Sequence, residues 1–364
     1  MKNKIKNTIA DIYQEVLGHR VHLHQNPELS FVEHNTMAYV SKVLSELGIP
    51  HQTNFGGTGV VAFIRGKFSE KDPHIALRAD MDALPIQEQN EVDYKSKVDG
   101  VMHACGHDVH TSVLLGVAKI LKIHENDILR PVQLIFQPGE EQAPGGASIL
   151  IKENVLQLVK LTNIYGLHVY PEMEAGKVGF REGLYMASCD EIHLTIKGKG
   201  GHAALPHNCI DPILVGAEIV SSLPAGLLKK GDPKIPTVLS FGHFEALGAT
   251  NVIPETAHLK GTFRTMNEEW REEALKYIVR FTELTAERAG AEIEVNIVRG
   301  YPFLKNDPQT TSELSRKAKE QLGEQNVEEL PIRLTAEDFS FYTHHVPACF
   351  FRLGVRNEDK GIVY

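Results

Sequence analysis

Short apolar runs alternate with helix-like segments over the first 170 residues, and this alternation limits the fold more than any other feature of the chain. GVVAFIRG (59–66), HIALRAD (74–80), VQLIFQPGE (132–140) and NIYGLHVY (163–170) have the length and content of buried strands. TMAYVSKVLSELGI, HTSVLLGVAKILKIH (110–124) and GGASILIKENVL (145–156) space their apolar residues near a 3.6 period, with Gly48 as a stop for the first. Strands alternating with helices predict an α/β domain whose mostly parallel sheet is flanked by helices. Functional groups on such a sheet gather just past the carboxyl ends of the strands, which is where Asp80, Glu140 and His168 fall.

The pattern changes near residue 187. DEIHLTIKGKGGHAA alternates polar and apolar with a period of two, as a half-buried strand does. A helix-like run (212–227), two strands (237–245 and 257–265), a charged helix and a strand, AEIEVNIVRGYP, follow. This β-α-β-β-α-β order predicts an inserted α+β domain of ferredoxin-like type. After Pro302 a helix near 309–323 and a strand at 348–354 return to the first style. The expected organisation is a discontinuous larger domain, 1–186 and 303–364, interrupted by a smaller one at 187–302.

Composition narrows the functional classes. Hydrophobic residues at 42%, charged residues at 23% and a mean hydropathy of −0.20 fit a soluble globular protein. No run approaches about 18 uninterrupted apolar residues, so no membrane span is expected. The first twenty residues lack the apolar centre of a signal peptide and read as an amphipathic helix. A net charge of −9 argues against nucleic-acid partners, whose phosphates need a basic surface. Four scattered cysteines (Cys105, Cys189, Cys209, Cys349) match a reducing compartment, the cytoplasm by default.

Four local patterns carry chemistry. In His103-Ala-Cys105-Gly-His107-Asp108-Val-His110, a thiolate and an imidazole two residues apart can reach one metal ion across a turn at Gly106. Such ligands favour zinc or another borderline first-row ion, although a buried cysteine beside surface histidines explains the pair alone equally well. Glu140-Glu141 closes an apolar strand, where one acid can hold a metal while the other takes a proton from water; on an ordinary loop they are a solvated pair. His168 ends another strand, and Asp80-Met-Asp82 ends a third. Each has a bland explanation alone. Together they are the mixed ligand set of a two-metal hydrolase.

RADMDALP, MHACGHDVH, QPGEE, GLHV, GKGGHAALPH, NVIPE, GTFR and AEDFSFY occur in this order. The set resembles the aminoacylase/carboxypeptidase-G-like metallopeptidase family, in its branch of N-acyl-amino-acid amidohydrolases, over essentially the whole chain. The resemblance implies two divalent ions (zinc or manganese first, nickel or cobalt as alternatives) bridged by Cys105, with His107, Glu141 and His168 as further ligands. It implies Glu140 as general base and then acid, with Asp82 steadying a ligand from behind. It makes His202 the group that steadies the oxyanion, and Asn251 and Arg264 the groups that hold a substrate carboxylate. The smaller domain would serve as lid and as the contact of a homodimer, with a small N-acylated molecule as substrate.

The same resemblance places a last histidine ligand shortly after GVRNEDKGIVY, beyond Tyr364. It is absent from this sequence, so a truncated chain or a catalytically impaired metal-binding relative is a further expectation. A third reading makes Cys105 a nucleophile with His107 or His103 as base, but it leaves the two glutamates without a task.

Overall fold

The computed structural model describes residues 2–362, which divide into two compact units. The first comprises Met1–Tyr185, Lys305–Ile332 and Asp338–Tyr364, and the second Met186–Leu304 and Arg333–Glu337. The excursion at Arg333–Glu337 is too short to carry any periodicity, so the sequence gives no sign of it. Two hydrogen bonds to its carbonyls tie it to the second unit: Ala187 N–H donates to Thr335 O, and Arg264 Nη1 donates to Leu334 O.

The first unit is built on an eight-stranded sheet in the order β1-β2-β4-β3-β5-β16-β6-β15. Its strands are β1 (His51–Phe55), β2 (Gly59–Ile64), β3 (His74–Asp80), β4 (Val132–Gln137), β5 (Leu161–Glu174), β6 (Val178–Phe180), β15 (Val327–Glu329) and β16 (Ala348–Arg356). The central four, β4-β3-β5-β16, are parallel, while β1, β2 and β6 pair antiparallel with their inner neighbours. Every residue of β2 and β4 is buried, as expected of strands covered on both faces. Helices α1 (Lys2–Gln25), α2 (His34–Glu46), α3 (His107–Ile123), α4 (Gly146–Lys152), α7 (Pro308–Leu322) and α8 (Ser340–Thr343) flank the sheet. Val40 and Leu44 of α2 and Leu114, Leu115 and Ala118 of α3 pack on Val60, Ala62, Leu134 and Phe136 to form one core.

Register decides what meets at the carboxyl ends of the strands. Asp80 of β3 lies opposite Gln137 of β4, and His168 of β5 lies opposite Arg352 of β16. Helix α3 begins at His107, three residues earlier than its apolar spacing indicates, because Gly106 precedes it with φ +87°. The Cys-Gly-His motif is therefore the turn into a helix at the edge of these strand ends.

The chain leaves the first unit along β7 (Gly183–Met186) and returns along β14 (Leu304–Asn306). The second unit runs β8 (Asp190–Lys197), β9 (Gly201–His202), α5 (Pro212–Lys230), β10 (Thr237–Glu245), β11 (Val252–Ile253), β12 (Thr256–Thr265), α6 (Glu268–Ala289) and β13 (Glu292–Arg299). Its antiparallel sheet has the order β10-β12-β8-β13, the arrangement expected of the ferredoxin-like pattern. Ile192, Leu194 and Ile196 alternate along β8 to meet Val215, Ile219 and Leu223 of α5 and Ala274 and Ile278 of α6. Asp211 and Asn267 cap the two helices through Ile213 N–H and Trp270 N–H.

One buried ion pair anchors α6 to the start of β8. Arg271 donates Nε and Nη2 to the two oxygens of Asp190, at 2.8 and 2.7 Å, and Nη2 also reaches Gly300 O. Removing the acid would take away both of these bonds and leave the buried guanidinium with only the half-exposed Glu268, at 3.0 Å, as a carboxylate partner. Asp190→Ala should therefore destabilise this unit by about 3–5 kcal/mol, read as a lowered urea midpoint. An unchanged midpoint would show that the pair contributes nothing.

Candidate metal centre

Six of the residues singled out in the sequence converge in the first unit. The ligand atoms of Cys105, His107 and His168 lie within 4.8 Å of one another, as do those of His107, Glu140 and Glu141. Asp82 stands behind His107. Its Oδ1 pairs with His107 Nδ1 at 3.1 Å, and its Oδ2 accepts from Ser30 Oγ (2.7 Å) and Glu141 N–H (2.9 Å). One carboxylate thus orients the imidazole and fixes the turn that presents the glutamates.

Two glycines let the backbone come this close. A Cβ at Gly106 would stand 2.6 Å from Val169 Cγ2, so the Cys105–His107 turn presses directly on β5 beside His168. Gly139 has φ +58°, and a Cβ there would meet the Phe31 ring at 2.3 Å. Gly139 N–H donates to Glu33 Oε1 at 2.8 Å, and Thr58 Oγ1 donates to Glu33 Oε2. Burial pushes the Glu33 carboxyl above its usual range. Glu33 was not foreseen, since an acid just ahead of a helix reads as surface.

Hydrogen bonds set the imidazoles for ligation. His168 donates Nδ1–H to Val169 O (2.8 Å), which turns Nε2 towards Cys105 Sγ at 3.2 Å. His107 Nε2 is buried without a hydrogen-bond partner among the described residues and lies 3.9 Å from Glu141 Oε1. A buried ring nitrogen left without a partner costs about 1–3 kcal/mol, and a cation ligated there would remove that cost. Thiol, imidazoles and carboxylate form a donor set suited to zinc and its neighbours, so the residues fit a divalent metal.

His110 and Arg78 stood in the sequence motifs without a role. His110 uses both ring nitrogens: Nε2 accepts Val169 N–H (3.0 Å), and Nδ1 pairs with Asp80 Oδ1 at 2.5 Å. Asp80 Oδ2 in turn accepts from the fully buried Arg78. A usable signal existed for Arg78, because a charge inside the apolar run HIALRAD must be paired if that strand is buried on both faces.

The charges follow from these contacts. Burial opposes ionisation of Asp80, but Arg78, His107 and His110 outweigh it and hold the carboxyl well below its usual range. Burial likewise opposes a charge on His107, but Asp80, Asp82 and Cys105 raise its pKa well above 6.5. Burial, with His110 and Arg352 adding to it, holds His168 well below the usual imidazole value. Burial pushes the Cys105 thiol and the Glu141 carboxyl upward. His103 is buried and pushed down to about 4, mainly by burial.

The other three expected residues belong to the second unit. His202 of β9 is exposed and lies opposite Val252 of β11; its Nδ1 accepts Ala204 N–H at 3.1 Å. Asn251 is its neighbour, its carbonyl accepting Ala203 N–H at 3.0 Å. Arg264 of β12 donates to Thr262 Oγ1 and Leu334 O. His344 and His345 follow α8 in the first unit, and His345 lines a cleft with Lys160 and Leu161 at the start of β5. His168 lies seven residues further along that strand, so neither histidine can supplement the donor set.

A partly buried thiol–imidazole–carboxylate cluster on the parallel sheet, with a second carboxylate beside it, defines a metal-dependent hydrolase. The chain belongs to peptidase family M20/M25/M40, whose model matches residues 76–363. Like its relatives, it is a hydrolase of amide C–N bonds. An N-acetyl-L-cysteine deacetylase of Bacillus subtilis is 38% identical, over 95% of this chain and 82% of its own length. An IAA-amino acid hydrolase of Arabidopsis thaliana is also 38% identical, over 96% of this chain and 80% of its own. The crystal structure of a Bacillus subtilis dinuclear metal-binding peptidase of family M20 superposes with a TM-score of 0.80 at 34% identity, covering 95% of this chain and 89% of that one.

The raised pKa of His107 has a direct consequence. A metal must displace the proton on Nε2, so apparent affinity should rise with pH through the range above 6.5. Binding near neutral pH should release protons, and titration calorimetry in buffers of different ionisation heat would detect them. Heats independent of buffer would contradict the His107 assignment.

Proposed function

We propose that this chain hydrolyses the amide bond of N-acyl amino acids, releasing a carboxylic acid and a free amino acid. The observation that carries the reading is the paired placement of Glu140 and Glu141 on one turn. Glu141 faces the Cys105, His107 and His168 donor set, and the buried Glu140 stands beside it on the same turn. The names of the relatives support the substrate class. N-acetyl-cysteine and IAA-amino acids share an acyl–NH–CHR–COO⁻ core, and so does the C-terminal residue that a carboxypeptidase removes.

Cys105, His107, Glu141 and His168 would hold two divalent ions, with zinc or manganese first and nickel or cobalt as alternatives. Such ions, when bound, polarise the amide carbonyl and make a water acidic at neutral pH. Glu140 takes the proton of the attacking water and returns it to the leaving amine. Asp82 keeps His107 Nδ1 engaged, so that Nε2 remains the donor. In the second unit, His202 supplies an imidazole N–H to the developing oxyanion, and Asn251 and Arg264 receive the substrate carboxylate, for which a guanidinium fork is well shaped.

A homodimer through the second unit accompanies this reading. Strand β10 is an edge of its sheet, and Leu214 and Leu228 of α5 are 68% and 63% exposed. Helix α5 is long and apolar enough to cross a membrane by composition, yet Val215, Ile219, Leu223 and Leu227 are buried in the core. The four free cysteines support a cytoplasmic setting.

The decisive variant is Glu140→Gln. It should keep the wild-type metal content while kcat for release of free amino acid from N-acetyl and N-benzoyl amino acids falls by roughly 10²–10⁴-fold. Near-normal turnover would remove Glu140 from the reaction, and turnover by neither protein on any N-acyl amino acid would refute the substrate class.

A further inference from the structure

One buried network lies outside the ligand set and is not used by the hydrolytic mechanism. Asp338 is fully buried, and both of its oxygens are occupied. Oδ1 accepts from Arg78 Nη2 (2.6 Å) and Gln137 Nε2 (3.0 Å), while Oδ2 accepts from Gln137 Nε2 (2.8 Å) and Ala147 N–H (2.9 Å). Gln137 is locked in turn, its Oε1 accepting from Arg78 Nε and Tyr342 Oη, each at 2.9 Å. So many bonds leave the Asp338 main chain little freedom. Its N–H points at Glu140 Oε1, at 3.4 Å.

Arg78 stands between two carboxylates, and each leads to a group of the site. On one side, Asp338 reaches Glu140 through its N–H. On the other, Asp80 holds His110, His110 accepts Val169 N–H, and Val169 O accepts from His168. Stability alone does not call for this arrangement, since a buried ion network is often no better than apolar side chains of equal volume. Fixed geometry does call for it. At 3.4 Å the contact is longer than the usual N–H···O range of about 2.7–3.2 Å, so it biases the direction of the Glu140 carboxylate and leaves its oxygen open to other donors.

We propose that Asp338 is a positioning residue for Glu140, setting the direction of that carboxylate through its own main-chain N–H. The inference rests on the reading of Glu140 as the base. Asp338 touches neither substrate nor metal ligand in this role, and its whole contribution passes through Glu140.

Two substitutions test it, each made in the wild-type chain and in Glu140→Asp, whose shorter carboxylate no longer meets that N–H. Asp338→Asn keeps the side-chain size. Asp338→Glu keeps the charge beside Arg78 but forces the main chain to move by a methylene. In the wild-type background each should lower kcat by roughly 10- to 100-fold, the cost of a reacting group displaced by about 1 Å. KM and metal content should stay within about twofold. In the Glu140→Asp background the same changes should cost less than about threefold, because interacting residues are not additive.

Equal losses in both backgrounds would overturn the proposal, as would a loss that appears in KM or metal content instead of kcat. If one variant fails to fold, the other carries the same comparison. A fully active Glu140→Gln enzyme would remove the reading beneath the proposal. A dead Glu140→Gln beside a fully active Asp338→Asn would remove only the positioning role.

Discussion

Buried negative charge at the carboxyl ends of β3 and β4 needs matching positive charge, and the first unit is arranged around that need. Asp80, Asp82 and Asp338 are each 1% exposed or less. Uncompensated, such ions would be protonated or would expel the fold that buries them. Arg78 neutralises two of them from within the sheet. Asp82 instead pairs with His107, whose second nitrogen has no hydrogen-bond partner among the described residues. That vacant donor, with a thiol and a second imidazole beside it, invites a cation other than a proton.

The same contacts explain why the reacting groups are rigid. His168 is held through Val169 and His110, Glu141 through its N–H on Asp82, and the glutamate turn through Gly139 on Glu33. These supports come from the middle of β5, from just past β3 and from the starts of α2 and α3. Precise placement of ligands depends on such supports as much as on the ligands themselves.

Much of this could be read from residue patterns. The apolar runs gave the strands of both units, because burial on two faces and alternation on one leave different signatures, as β4 and β8 show. Cys105, His107, Glu140 and Glu141 are visible because reactive side chains close an apolar strand or sit at a glycine turn; His168 reads as the end of its strand, whereas β5 runs on to Glu174. The supports were less legible. Glu33 is ordinary in sequence, and only packing reveals that it is buried and holds Gly139 N–H and Thr58 Oγ1. The start of α3 was misjudged by one turn because periodicity begins with the first apolar residue, whereas the helix begins at the glycine that frees it. The excursion at Arg333–Glu337 is held through its own main-chain carbonyls, to which side-chain patterns are blind.

The metal requirement is the claim on which every chemical assignment stands, and it separates this site from a cysteine hydrolase using Cys105. The most direct measurement is turnover of an N-acetyl amino acid before and after exhaustive dialysis against a chelator. Loss of turnover, with recovery on adding zinc or manganese, is the expected result. Turnover that persists without metal would contradict it and move the chemistry to the thiol.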